Sequence, residues 1–139
     1  SLVDCGFNYF SDEYAVIDNN GLVHPFPRRL SLRQGSTTQE ISLWSGDTVP
    51  KKVSHVFLLQ YVPTANQPWV ELSYGQSMTA VLQQCVSASL RPEQNLKHLV
   101  QLLRHSPLIF SGDRGCAHGT ASEIRRLVQL AGERLTADG

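Results

Sequence analysis

Cysteine, net charge and long apolar runs are all scarce in this chain, and each shortage removes a class of function. The cysteines Cys5, Cys85 and Cys116 are odd in number, far apart and without a CxxC spacing. Neither a disulfide framework nor a zinc site is indicated, and a reducing, cytoplasmic setting is expected. Twelve basic residues balance twelve acidic ones, which leaves no global field to hold a phosphate backbone or anionic lipid, so no nucleic-acid partner is expected. Charged residues make up only 17% of the chain, against about 25% in ordinary domains, and a weakly charged, neutral surface favours self-association. Apolar runs such as Val56 to Leu59 stop far short of the roughly 20 residues of a membrane helix. The opening Ser-Leu-Val-Asp lacks the basic and apolar regions of a signal peptide. No membrane partner is expected.

What is present is a globular composition, 41% hydrophobic over 139 residues, the size of one domain spanning 1–139. The first half reads as strands and turns. Phe7 to Phe10 and Tyr14 to Asp18 are short aromatic and β-branched runs, and Asn19-Asn20-Gly21 marks a hairpin turn before Leu22-Val23. Pro25 and Pro27 stiffen the chain ahead of an extended Leu30-Ser31-Leu32, and Gln34 to Gln39 reads as polar loop. The nearly continuous apolar run within Val53 to Val62 predicts a strand covered on both faces and central to a sheet.

The second half is mainly helical. Ser73-Tyr74-Gly75-Gln76 forms a capping box ahead of a helix carrying Met78, Val81, Leu82, Cys85 and Val86 and ending near Leu90. Pro92 opens a second helix with the stripe Leu96, Leu99, Val100 and Leu103, which runs out at Ser106-Pro107. Leu108-Ile109-Phe110 is a returning strand. A further capping box, Thr120 to Glu123, precedes a last helix with Ile124, Leu127, Val128, Ala131 and Leu135 on one face. The pattern predicts an α/β or α+β fold, a mixed sheet with three main helices.

Four constellations bear on chemistry. Asp12 and Glu13 follow the aromatic run, where one carboxylate can hold Mg²⁺ and its neighbour accept a hydroxyl proton; the plainer reading is a solvated turn. Ser111 to Thr120 is a glycine-rich segment between a strand and a helix, with Gly112, Arg114, Gly115, His118 and Thr120 as candidate anion ligands. It departs from G-x-x-x-x-G-K-[ST] at three of the four defining positions: Ala117, His118 and Gly119 stand where Gly, Lys and Ser or Thr belong. A plain loop is the simpler reading. Cys116 and His118 lack an orienting acid for thiol catalysis, and the remaining histidines read as surface or packing residues. Arg28, Arg29 and Arg33 form a basic cluster that suits phosphate or carboxylate, or else a solvated strand edge.

Gly6 to Asp18, followed by Gly21 to Leu32 with its His24-Pro25-Phe26-Pro27-Arg28-Arg29, resembles the HPr kinase-related proteins, relatives of HPr serine kinase/phosphorylase and more remotely of phosphoenolpyruvate carboxykinase. Val53 to Leu59, Pro68 to Ser73, and Leu108 to Phe110 with the final helix are similar to that family's later segments. The resemblance implies the C-terminal part of an HPr kinase-like fold, with Asp12 and Glu13 at the Mg²⁺ and base positions of an ATP-dependent phosphoryl transfer. The family's G-x-x-G-x-G-K-[ST], about twenty residues before the acidic pair, is missing from this chain. Without that loop and its Lys, phosphoryl transfer loses its main source of positioning and charge stabilisation.

The expected function is therefore a P-loop-less HPr kinase-like domain, without cofactor or kinase activity of its own, that acts through protein association. Two alternatives stand beside it. One is the C-terminal part of an ATP- and Mg²⁺-dependent serine or small-molecule kinase, and the other a small-anion-binding module. The family's missing N-terminal strand lies inside its sheet, so the resemblance implies an orphaned edge at Phe7 to Phe10 and a homodimer or larger homo-oligomer formed through that edge or through the exposed apolar side of the early strands.

Overall fold

The computed structural model describes residues 2–11, 14–26, 29–34, 36–41, 48–86 and 89–137. In chain order the strands of the first half are β1 (Val16–Ile17), β2 (Leu22–His24), β3 (Leu30–Gln34), β4 (Thr37–Ile41) and β5 (Lys51–Lys52). There follow β6 (His55–Tyr61), β7 (Val70–Glu71), α1 (Tyr74–Leu82), α2 (Pro92–Arg104), β8 (Leu108–Arg114) and α3 (Ala117–Ala137). The fold is α+β, with three helices and a mixed sheet among the described residues. No helix among the described residues is long and apolar enough to cross a membrane.

The chain divides into two compact units. The first comprises 1–7, 55–77 and 108–139 and is built on a three-stranded sheet in the order β6-β8-β7. β6 runs parallel to β8, from His55 opposite Leu108 to Tyr61 opposite Arg114, and β7 lies antiparallel on the other side of β8. β8 is thus the central strand, with Ile109 and Phe110 buried, and β6 is an edge among the described residues. The expectation of a central strand at Val53 to Val62 is corrected: the apolar run marks a half-buried strand, and the central position falls to the strand that both neighbours share. Register sets side-chain packing, since Phe57 opposite Phe110 brings their rings into a stack with centroids 5.4 Å apart. Trp69 meets Phe57 edge-on at 5.7 Å. Among the described side chains of α3, Ala121 and Ile124 are buried.

The second unit comprises 8–54 and 78–107. β1 and β2 form the predicted hairpin, extended by β5 on the far side of β2. Its turn is wired by Asp18: one carboxylate oxygen accepts the N–H groups of Asn20 (2.8 Å) and Leu22 (3.0 Å), and the other meets His24 Nε2 at 2.9 Å. Gly21 has φ +75°, and a Cβ there would lie 2.5 Å from the backbone nitrogen of Leu102. Only glycine lets this turn sit against α2. His98 Nε2 lies 2.6 Å from Asn19 Oδ1 and His105 Nε2 2.9 Å from the carbonyl oxygen of Asn20, so a histidine on α2 and the one that caps its C-terminus hold the same turn. Pro92 takes the first helical position, and Leu99, Leu102 and Leu103 are buried while Leu96 is 45% exposed.

Four other expectations are corrected. Thr37 to Ile41 is a strand paired residue for residue with β3, where a loop was expected through Gln39; its polarity reflects exposure, and its threonines are β-branched strand formers. Phe7 to Phe10 holds only an isolated bridge at Tyr9. α1 stops at Leu82, well before Leu90, in a tightened turn where Gln84 and Cys85 donate to the carbonyls three residues back. α3 starts at Ala117, three residues before the expected cap Thr120, whose hydroxyl instead donates to the Cys116 carbonyl at 2.9 Å.

The Asp18 carboxyl is held well below its usual range, at about 2, chiefly by the His24 hydrogen bond and then by the Leu22 N–H. In the unfolded chain it titrates near about 3.9, so its stabilisation is complete above about pH 4 and fades as the native carboxylate protonates toward about pH 2. Asp18→Asn is expected to lower stability at neutral pH, with the gap to the parent chain closing across that acid window in denaturant melts. A gap independent of pH would refute this assignment.

Candidate functional site

The acidic pair Asp12 and Glu13, and Arg28 of the basic cluster, lie outside the described residues. Arg29 is exposed and pairs with Glu40 at 3.4 Å across the β3–β4 hairpin. Its fork is directed at a carboxylate of the same chain. Arg33 lies in β3 opposite Thr38. These arginines belong to the second unit, whereas the glycine-rich segment belongs to the first.

That segment is mostly strand. Ser111, Gly112, Asp113 and Arg114 continue β8, so the loop expected there shrinks to Gly115 and Cys116 ahead of α3. Gly112 stands opposite Leu59 and serves packing: a Cβ would come within 2.7 Å of Trp69 Cδ1. The missing side chain is the seat of the indole, whose Nε1–H donates to the Asp113 carbonyl at 2.7 Å. Arg114 lays its guanidinium 5.2 Å from the centroid of the Tyr61 ring. Cys116 Sγ accepts the Gly119 N–H at 3.4 Å.

Arg114, Gly115 and Thr120 do share one cavity of about 430 Å³ with Trp69, Cys116 and Glu123, while His118 lies exposed on the first turn of α3 outside its lining. The charge of this wall is mixed. Glu123 is bound to Arg126 through two hydrogen bonds, at 2.8 and 2.5 Å, and the guanidinium holds its carboxyl below the ordinary value. The one fixed cation in its described lining, Arg114, is laid over the Tyr61 ring and stands beside two carboxylates, Asp113 and Glu123, so the wall is not the uniformly positive cradle of a phosphate loop. No group of three or more His, Cys, Asp or Glu side chains placed to hold a metal ion occurs among the described residues.

The other feature of this unit is the side of β6 turned away from β8. Seven residues long, β6 pairs with β8 on one side, and no strand lies on its other side among the described residues. His55 to Leu59 are half-buried and Gln60 and Tyr61 exposed. The strand His-Val-Phe-Leu-Leu-Gln-Tyr contains no Lys, Arg, Asp, Glu or Pro, the residues by which edge strands are ordinarily protected from pairing. The sequence resemblance implied an open edge at Phe7 to Phe10; among the described residues the structure has one at β6. Only the absence of charge in this run could have pointed there.

No protein-family model, curated protein or solved structure matches this chain.

Gly112→Ala drives a methyl into Trp69 and is expected to cost about 1–3 kcal/mol, the usual penalty for overpacking. In a Trp44→Phe background, tryptophan emission should shift to the red as the indole leaves its seat. Unchanged emission and stability would show that Gly112 is not needed for this packing.

Proposed function

We propose that this chain works by association, pairing the open edge of β6 with the same strand of a second copy. The observation that carries the reading is a seven-residue strand without Lys, Arg, Asp or Glu that pairs with β8 on one side and, among the described residues, has no strand on the other. Two such edges meeting antiparallel obey a two-fold axis, so the contact closes on itself and stops at a dimer. The product is a continuous six-stranded sheet in the order β7-β8-β6 and then β6-β8-β7 of the partner. A formal charge of zero opposes such a meeting less than a strong net charge would.

The resemblance to HPr kinase-related proteins gives this reading its setting, a kinase-like domain used for association. Phosphoryl transfer by these residues themselves has little support: the sequence holds no G-x-x-x-x-G-K-[ST], and the strand-to-helix junction that came nearest to it seats Trp69 and carries Glu123 in its wall. ATP and Mg²⁺ belong only to the alternative in which a phosphate loop is supplied from elsewhere.

Sedimentation equilibrium across a wide concentration range should show a monomer–dimer equilibrium. Gln60→Lys, at an exposed position of β6, places a charge on the edge and is expected to weaken dimerisation about tenfold, equivalent to ~1.4 kcal/mol. A monomer at every concentration, or a dimer indifferent to this substitution, would contradict the proposal.

A further inference from the structure

The second unit holds two adjoining cavities that share Arg91, Gln94 and His98. The larger, about 740 Å³, is floored by Ile17, Val81, Cys85 and Leu99, and at its lip stand Val86 and Leu90, 74% and 82% exposed. Burial pushes the Cys85 thiol up, so it stays protonated and counts as apolar wall. The smaller, about 560 Å³, lies beside the first turns of α2 and adds Lys97 and Glu93. Each volume falls within the roughly 300–1,000 Å³ of sites that take a small organic molecule, which are typically apolar with a few polar groups to fix orientation.

Charge is distributed unevenly along this trough. No carboxylate among the described residues lines the larger cavity, and Glu93 alone lines the smaller, against the fixed cations Arg91 and Lys97. Neither cation forms an ion pair among the described residues, whereas Arg29 and Arg126 each hold a carboxylate. The trough therefore offers a long apolar floor, an apolar lip left in water, and two uncommitted cations at one end.

We propose that this trough binds a single-chain amphiphile with an anionic head, a long-chain carboxylate, its tail lying along Ile17, Val81 and Leu99 and its head on Arg91 and Lys97. Covering the floor and the exposed lip supplies the hydrophobic gain, and charge-assisted hydrogen bonds from the guanidinium fix the polarity of the chain. A flat lipid surface would reach Val86 and Leu90 but not the floor, which is why a free carboxylate is the occupant.

Calorimetric titration with dodecanoate below its micellar concentration should give saturable binding, one molecule per chain. Dodecanol, with the same tail and no charge, should bind about tenfold more weakly, as should dodecanoate to the surface double variant Arg91→Glu/Lys97→Glu. Leu90→Asp, at an exposed position, should weaken binding similarly, and amide shifts on titration should centre on Ile17, Val81 and Leu99. The proposal is overturned by the absence of saturable binding, by equal affinity for dodecanol, by an unaffected double variant, or by binding only to vesicles of anionic phospholipid.

Discussion

The parallel pairing of β6 with β8 is the constraint on which the first unit depends. Parallel neighbours cannot be joined by a tight turn, so the chain must travel through β7, α1 and α2 before β8 returns. Once back, β8 is claimed on both sides, by β6 along seven residues and by β7 along two. That commits Ile109 and Phe110 to the interior and stacks Phe57 on Phe110. It also determines which strand is left over. With β7 already on the far side of β8, β6 has one paired edge and one that no strand among the described residues covers, and the proposed association follows from that order.

The second unit has a comparable fixed point in the seating of the Asn19-Asn20-Gly21 turn on α2. Asp18 shapes the turn from within, and His98 and His105 hold it from the helix. Gly21 supplies both the positive φ and the clearance against the backbone of Gln101 and Leu102. Because the turn occupies one stretch of the face of α2, the start of that helix and the end of α1 are left to form the trough, with Arg91 and Lys97 at its rim.

Local chemistry was readable in the sequence wherever one residue type had a single sensible use. Asn20-Gly21 marked its hairpin, Pro92 its helix start and Ser73 with Gln76 its cap, where Gln76 accepts the Ser73 N–H at 2.9 Å. Long-range choices were not readable. Whether an apolar run is central or at an edge depends on what pairs on each side, so Val56 to Leu59 and Leu108 to Phe110 could not be ranked from their own composition. Gly112 misled because a glycine after a strand suits a phosphate loop as well as a close-packed indole, and only Trp69, 43 residues earlier in the chain, decides between them. His98 on α2 and His105 at its C-cap looked like separate surface residues until the turn brought Asn19 and Asn20 to them. Of the candidate site, the sequence carried the residue types at the start of α3 but not the neighbours that use them.

The central claim, that the β6 edge is the surface through which the chain associates, is tested most directly by amide hydrogen exchange in residues 55–61 as a function of protein concentration. Amides on the open edge of a monomer exchange freely, and those in a strand-to-strand contact do not. The account predicts that protection in this segment rises with concentration in step with the dimer population, while β3 and β4 exchange at an unchanged rate. Dimerisation without a change in protection at 55–61 would contradict it.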